Sequence, residues 1–223
     1  MKASTLLLLA WFTIPVSPLH SQIVVFTFPG AAGNEATFAP DSQPLFATVS
    51  SMSRGTGLTA SANSGTFSAS AWTTGASLDL SDYYSFSITP NHSSLMSLST
   101  LTLDERRSST GIRDWVVRSS LDNFGSDLSH FAVPDDSNTR TGQTTTFGGI
   151  FANLFDGVEF RIYGYNAESG AGTWRIDNVQ LQGSFSFSAV PEPQEYALVV
   201  GTRLLLFALV RRKRRAETIS PRP

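Results

Sequence analysis

The sequence has no cysteine and only two lysines, Lys2 and Lys213, and charged residues make up 15% of its 223 residues. The absence of cysteine excludes disulfide bonds, thiol catalysis and thiolate metal sites. Helix-favouring Glu, Lys and Gln are scarce, whereas Ser and Thr make up roughly a quarter of the chain. This composition disfavours helical bundles and coiled coils. The length suits one domain of ordinary size.

Positive charge is scarce between residues 22 and 189, where 15 acidic side chains stand against eight arginines and no lysine, leaving a net charge of −7. A protein that binds nucleic acid needs a basic face to displace counterions from the phosphates. We therefore expect no nucleic acid partner for this acidic central region.

Catalytic motifs are missing as well. The sequence contains no G-x-S-x-G, no H-E-x-x-H and no phosphate-binding loop motif. A Ser-His-Asp arrangement would have to use His130 with Asp127 or Asp135, and His92 is the other histidine of the central region. Glycoside hydrolysis needs two facing carboxylates, but no spacing of the acidic residues selects a pair. We expect that the protein is not an enzyme, with a polysaccharide hydrolase or lyase as the remote alternative.

The N-terminus is typical of a secretory signal peptide. Met1 and Lys2 provide the positive start, and residues 6–14 form an apolar stretch too short to span a bilayer. Prolines and the small residue Ser21 follow. We expect a signal peptide over residues 1–21, cleaved near Ser21 by signal peptidase after recognition by the secretion machinery.

Near the C-terminus, residues 196–210 form an apolar run interrupted by Arg203. As a helix this run would rise about 22 Å, against roughly 30 Å for the hydrocarbon core. A basic cluster follows it directly: Arg211, Arg212, Lys213, Arg214 and Arg215. The pattern predicts one transmembrane helix over residues 196–210, with the cluster on the cytoplasmic side and the central region outside.

A short motif precedes the apolar run: Val190, Pro191, Glu192 and Pro193. Followed by an apolar helix and an Arg-rich end, it resembles the PEP-CTERM sorting signal of bacterial exported proteins, also known as the ice-binding protein C-terminal domain. The resemblance covers residues 190–215 and leaves a short tail, 216–223. It implies recognition by the membrane enzyme exosortase and display at the cell surface or in the extracellular matrix.

The central region alternates apolar and polar residues over short segments separated by Gly, Pro, Asn and Asp. The segments are 23–28, 66–72, 83–89, 95–103, 112–119, 158–165 and 173–187. Eight to ten short strands without a sustained helical period predict an all-β antiparallel β-sandwich over residues 22–189. Two sheets of about four strands each favour a jelly-roll-like topology. Gly170 and Gly172 suggest a hairpin between the last two strands.

One strand must change face. Trp174 and Ile176 lie on one side of an unbroken strand, and Val179 and Leu181 lie on the other. Burial of all four requires an extra residue near Asp177 and Asn178, which predicts a β-bulge there.

The string WRIDNVQLQG, residues 174–183, resembles the closing strand of carbohydrate-binding-module-like jelly-rolls. That resemblance implies a structural calcium held by Asp177, with Asn34 and Glu35 as the ligands from the N-terminal side. The alternative is that Asp177 and Asn178 satisfy backbone groups of a turn.

Aromatic side chains suggest a ligand site. Tyr163 and Tyr165 fall on one polar face of the segment 158–165 together with Glu159 and Arg161, a combination that can stack on sugars and orient their hydroxyls. Trp72, Tyr83 and Tyr84 would extend this platform. The alternative is that the rings cover the sheet or pack beneath loops. Trp115 and Trp174 lie on apolar faces and are expected in the core.

These observations predict an exported, membrane-anchored β-sandwich protein of the cell surface or extracellular matrix, with a non-catalytic structural or adhesive role. The alternative function is a carbohydrate-binding module for exopolysaccharide.

Overall fold

The computed structural model describes residues 21–91 and 94–187, together with Thr202, Arg203, Phe207 and Arg211. The chain divides into two compact units, Met1–Ser186 and Phe187–Pro223. The four isolated residues of the second unit are helical. Within the described part of the chain, no helix has the length and apolarity needed to cross a membrane.

The first unit is built from twelve β-strands and two single-turn 3-10 helices. The strands are β1 (Ser21–Phe26), β2 (Ala47–Val49), β3 (Ser53–Arg54), β4 (Thr59–Ala60), β5 (Phe67–Ser70), β6 (Tyr83–Pro90), β7 (Ser94–Arg107), β8 (Asp114–Ser119), β9 (Ser129–Ala132), β10 (Arg140–Thr146), β11 (Val158–Tyr165) and β12 (Trp174–Phe187). The helical turns are Ser120–Asp122 and Gly149–Phe151.

The strands form two six-stranded sheets. Sheet I has the order β10-β7-β12-β5-β4, with β1 also paired to β12, and sheet II has the order β2-β6-β11-β8-β9, with β3 also paired to β6. The strand pairs for which a register is defined are antiparallel. The prediction of an all-β antiparallel sandwich is therefore confirmed, but each sheet has six strands instead of about four.

The connection after β11 differs from the prediction. β11 belongs to sheet II and β12 belongs to sheet I, so the segment around Gly170 and Gly172 crosses between the sheets and does not close a hairpin. β11 and β12 do not pair with each other because each is hydrogen-bonded to other strands of its own sheet. β11 itself begins and ends where the alternation predicts.

Aromatic side chains fill the space between the sheets. The ring of Trp174 lies 5.3 Å from Trp72 and 5.4 Å from Tyr84, and the ring of Trp115 stacks on Phe131 at 4.0 Å. Both Trp115 and Trp174 are buried, as the sequence predicts. Trp72, Trp115, Trp174 and Tyr84 are among the largest fully buried side chains, and the burial of such rings stabilises the sandwich.

The predicted change of face in β12 is present. The four apolar residues on either side of it are all buried: Trp174, Ile176, Val179 and Leu181. Asp177 and Asn178 lie between them, both partly exposed, and Asn178 has a φ of 47°. This left-handed residue supplies the extra position, a role that asparagine tolerates better than most residues. The polar side chains before it therefore point away from the core.

Candidate functional site

The predicted aromatic face lies on the outer surface of sheet II. Val158, Phe160 and Ile162 are buried in the core, so Arg161 and Tyr163 point to the other side of β11. Glu159 and Tyr165 share that outer face and are partly exposed. Tyr163, however, is only 1% exposed, which corrects the expectation that its ring is free to stack on a ligand.

A cluster of side chains covers Tyr163. The guanidinium of Arg161 lies 4.4 Å from the ring of Tyr83 and 3.8 Å from the ring of Phe124, and its Nε donates to Glu159 at 2.7 Å. Phe124 comes from the segment between β8 and β9, and Tyr83 contacts Tyr163 at 5.3 Å between ring centres. Because Arg161 already interacts with two rings and a carboxylate, the polar and aromatic groups of this face are largely occupied by contacts within the protein.

Two of the three proposed extensions of the platform, Trp72 and Tyr84, are also in the core, whereas Tyr83 is partly exposed. Tyr84 is buried and its hydroxyl donates to the backbone oxygen of Trp174 at 2.6 Å. Trp72 is buried and donates from Nε1 to the oxygen of Ala69 at 3.0 Å. Burial raises the pKa of Tyr84, although the nearby Arg54 charge opposes this. Neither ring reaches solvent, so both have the packing role that was the alternative.

The residues expected to bind calcium do not converge in the structure. The carboxylate of Glu35 accepts hydrogen bonds from the backbone N–H groups of Ala32 and Gly33, while Asn34 is exposed. None of the described contacts joins Asn34 or Glu35 to Asp177. Hydrogen bonds from backbone N–H groups, including its own, hold the pKa of Glu35 below its usual value.

Arg54 already uses the backbone oxygens beside Glu35. Its guanidinium donates to the backbone oxygens of Gly33, Glu35 and Ser68, and it lies 3.6 Å above the ring of Phe67. Loop oxygens of this kind are the ligands that calcium prefers. Since Arg54 already uses them, and since the described residues contain no cluster of three or more acidic or histidine side chains suited to a metal, the site does not fit calcium.

Asp177 instead lines a pocket on the outer surface of sheet I, with a cavity volume of about 250 Å³. Its lining comes from β7, β12, the segment between β4 and β5, and the approach to β10. The residues are Asn63, Ser64, Thr66, Asp104, Glu105, Arg106, Thr139, Arg175, Ile176 and Asp177. We name this cavity the charged pocket. It lacks aromatic side chains, and its size suits a ligand no larger than a few sugar rings, since drug-sized ligands occupy about 300–1,000 Å³.

Strand geometry explains why charged residues meet there. On β12, Trp174 and Ile176 point into the core, so Arg175 and Asp177 point outward. On β7, the buried residues alternate with Asp104 and Arg106, which also point outward. Because β7 and β12 are neighbours in sheet I, two arginines and two aspartates from distant parts of the chain line one cavity.

The two aspartates are held by backbone and amide donors. Asp104 accepts from the backbone N–H of Gly142 at 2.7 Å and from the side-chain amide of Asn178 at 2.8 Å. Asp177 accepts from the backbone N–H of Asn178 at 2.7 Å. Burial raises the pKa of Asp177, and the charges of Asp104 and Asp41 raise it further, against the opposing effect of the Asn178 hydrogen bond.

Beneath the charged pocket, Glu105 carries a buried carboxylate. It is 2% exposed, accepts a hydrogen bond from Nε1 of Trp174 at 2.8 Å and lies 3.2 Å from Nη1 of Arg140. Burial raises the pKa of Glu105, and both of these partners oppose the shift. The pair of contacts fixes β7 against β10 and the core, so the floor of the pocket is rigid.

The structure also shows the surroundings of His130 and of the two aspartates considered with it. His130 lies beside Asp114, with 2.9 Å between Nε2 and the carboxylate. Asp127 pairs with Arg118 and Asp135 pairs with Arg107, so neither forms the Ser-His-Asp arrangement considered from the sequence. His92 lies outside the described residues.

Residues 1–20 of the predicted signal peptide lie outside the described residues, as does the motif Val190, Pro191, Glu192 and Pro193. Ser21, the last residue of the predicted signal peptide, is the first residue of β1. Of the basic cluster, only Arg211 is described, and its guanidinium lies 5.2 Å from the ring of Phe207. Arg212, Lys213, Arg214 and Arg215 lie outside the described residues. The sorting assignments therefore stay predictions.

Sequence reasoning did not identify the charged pocket, although a signal was present. Each of its two strands carries an acid and an arginine two residues apart, Asp104 with Arg106 and Arg175 with Asp177, between apolar or inward-facing positions. Alternation alone places each pair on an outer face. It does not reveal that the two pairs meet.

The comparisons with known proteins include a structural likeness. The chain is similar to a mutant of CBM29-2, a family 29 carbohydrate-binding module, at 17% sequence identity and a TM-score of 0.37, over 73% of this chain and 91% of that one. No family model matches the sequence, and no curated protein matches it.

Proposed function

We propose that this chain is a non-catalytic polysaccharide-binding protein, and that the charged pocket is its binding site. The observation that carries the proposal is the convergence of charged, amide and hydroxyl side chains in one cavity that the fold leaves open. Asn63, Ser64 and Thr66 line one side, and the charged residues of β7 and β12 line the rest.

A sugar fits this lining chemically. Each ring carries several hydroxyls that both donate and accept hydrogen bonds, and hydrogen bonds to ionised partners are about twice as strong as neutral ones. The carboxylates of Asp104 and Asp177 are already held by hydrogen bonds, so they lose little side-chain freedom when the ligand binds. Binding through polar contacts, without a stacking platform, is the mode that this pocket supports.

The proposed setting is outside the cell. Residues 1–21 direct export, and residues 190–215 direct sorting by exosortase to the cell surface or the extracellular matrix, where polysaccharide is the surrounding material. In that setting the domain has a structural or adhesive role, holding the protein to the matrix.

The binding proposal is tested with the full chain in pull-downs against a panel of acidic and neutral polysaccharides. The double variant Arg175→Ala with Asp177→Ala should lose binding at least tenfold. The matched control is Arg113→Ala with Asp135→Ala, also one arginine and one aspartate, which form an ion pair outside the pocket lining. Equal binding by wild type and pocket variant, or shortening of the polysaccharide during incubation, would contradict the proposal.

The sorting proposal has a separate test. Replacing residues 190–193 by alanines should leave export intact but keep the protein in the membrane fraction. Replacing residues 217–220, beyond the basic cluster, is the control and should change nothing. Cell fractionation and intact mass report the outcome, and unchanged processing of the 190–193 variant would refute the assignment.

A further inference from the structure

Apart from the buried Glu105 in its floor, the charged pocket is lined by four charged side chains, and these four are arranged by sign. Arg106 and Arg175 line the cavity from the neighbouring strands β7 and β12, and so do Asp104 and Asp177. The charge of Arg106 acts on Arg175, and the charge of Asp104 acts on Asp177. Along each strand the acid and the arginine are two residues apart, about 6.6 Å. The cavity therefore has a cationic side and an anionic side, with like charges facing each other across the strands.

This arrangement is unfavourable for the empty protein. Like charges on neighbouring strands destabilise a sheet. Burial lowers the pKa of Arg175, and the charge of Arg106 lowers it further, so the ligand-free cavity disfavours the guanidinium charge. A pocket that keeps two such charges together is preorganised for a group that neutralises them.

The guanidinium of Arg175 is also unpaired. Among residues 21–91 and 94–187, it forms no hydrogen bond and no ion pair, although Asp104 and Asp177 line the same cavity. Arg106 has one hydrogen bond, from Nε to the backbone oxygen of Ser137 at 2.6 Å. The other arginines of the central region are hydrogen-bonded to carboxylates or backbone oxygens: Arg54, Arg107, Arg113, Arg118, Arg140 and Arg161.

The net charge of −7 over residues 22–189 does not prevent an anion from binding here. At physiological ionic strength charges more than about 8 Å apart are largely screened. The potential inside the cavity is therefore set by its own side chains, and the anion is expected on the Arg106 and Arg175 side only.

We propose that the charged pocket recognises an acidic sugar, a hexuronate residue of a polysaccharide, with its carboxylate on Arg106 and Arg175 and its ring hydroxyls donating to Asp104 and Asp177. This inference rests on the proposed polysaccharide-binding function and names the sugar class. Guanidiniums match a carboxylate with paired N–H donors, and aspartates accept from hydroxyls. A uronate carries its carboxylate at one end of the ring and vicinal hydroxyls at the other, as the two sides of the cavity require.

The test compares two forms of one ligand. Oligogalacturonate and its methyl ester have the same rings and hydroxyls, but the ester lacks the negative charge. Calorimetric titration of the full chain should show the acid binding at least tenfold more tightly than the ester, and the difference should shrink as salt is raised. Arg175→Gln should remove the preference for the acid, whereas Arg113→Gln, an arginine outside the pocket lining, should retain it.

Each outcome decides one question. Equal affinity for acid and ester, or an unchanged preference in Arg175→Gln, overturns the acidic-sugar inference. If the protein then still binds a neutral polysaccharide and Asp177→Asn weakens that binding, the proposed function stands without the inference. Failure to bind either ligand overturns the inference, and failure to bind any polysaccharide of the panel overturns the function as well.

Discussion

The guanidinium of Arg107 donates from Nη2 to Oε1 of Glu168 at 2.8 Å, although the arginine side chain has no exposed surface. Arg107 ends β7 in sheet I, and Glu168 lies in the segment that crosses from sheet II to sheet I. The same guanidinium donates to the backbone oxygens of Ser108 and Ser109. The buried guanidinium of Arg107 therefore links the end of β7, the turn after it and the segment that crosses between the sheets.

Removing this cation should strongly destabilise the domain. Arg107→Met leaves the backbone oxygens of Ser108 and Ser109 without their donor and leaves Glu168 with Arg113 alone, and each buried acceptor left without a donor costs about 1–3 kcal/mol. Arg113→Met is the control, because Arg113 contacts the same carboxylate at 2.8 Å from a partly exposed position. Its loss should destabilise the domain much less, since exposed ion pairs contribute little to stability. Urea denaturation measures both, and similar losses would refute the role of Arg107.

Asp177→Asn should stabilise the protein at neutral pH. Folding raises the pKa of Asp177. The stabilisation linked to its protonated form is therefore fully present below the pKa of the unfolded chain, and it is lost as the pH rises through the pKa of the folded protein. At pH 7 the ionised carboxylate therefore opposes folding, and its removal should add about 0.2–1 kcal/mol. The gain should disappear below about pH 3.9, where the aspartate is protonated in both states.

Asp79→Asn is the control, and its expected effect on stability has the opposite sign. Hydrogen bonds from the hydroxyl and the backbone N–H of Ser81 lower the pKa of Asp79. Its stabilisation is present above the unfolded pKa and is lost as the pH falls through the folded pKa. The variant should therefore melt below wild type at pH 7 and converge with it in acid. Thermal melts from pH 3 to pH 7 test both variants, and a destabilised Asp177→Asn at pH 7 would refute the charge argument.

Calcium should not change the melting temperature. A metal that binds the folded state raises that temperature by mass action, but Arg54 already holds the loop oxygens of Gly33 and Glu35. Arg54→Met should cost about 1–3 kcal/mol because these oxygens lose their donor. Melting the full chain in calcium and in chelator is the measurement. A higher melting temperature in calcium would contradict the conclusion that these loop oxygens do not bind calcium.

The two tyrosines of β11 should respond differently to truncation. Tyr163 is 1% exposed, and its ring lies 5.3 Å from the ring of Tyr83 and 5.8 Å from the guanidinium of Arg118. Tyr163→Ala should therefore cost about 3 kcal/mol, as for other large buried rings. Tyr165 is partly exposed, and Tyr165→Ala should cost about 1 kcal/mol or less. Chemical denaturation distinguishes them. Equal, small losses would mean that Tyr163 is accessible after all and that the outer face of sheet II is open to ligands.

Much of the local structure could be predicted because it depends on geometry within one strand. The alternation of β11 defines both its ends and its two faces, and the mismatch between Ile176 and Val179 locates the change of face at Asn178. Side chains alternate with a period of two along any strand, so these features need no knowledge of the rest of the chain.

The short strands could not be predicted in the same way. β3 and β4 have two residues each, and the Thr-rich β10 is largely exposed, so none of them carries a clear apolar alternation. They are strands because a neighbouring strand offers hydrogen-bond partners: Arg54 pairs with Tyr84, and Thr144 pairs with Thr102. That pairing is a property of the assembled sheet.

The sequence by itself determined an acidic, cysteine-free chain that forms two antiparallel sheets, with Trp115 and Trp174 inside. Only the tertiary structure decided which polar groups are available to a ligand. It buried Arg107 and Tyr163 under segments that arrive from elsewhere in the chain, and it brought Arg106 and Arg175, 69 positions apart, to one cavity. The physical reason is that a strand's faces follow from its own backbone, whereas the neighbour of each face is chosen by packing between distant segments.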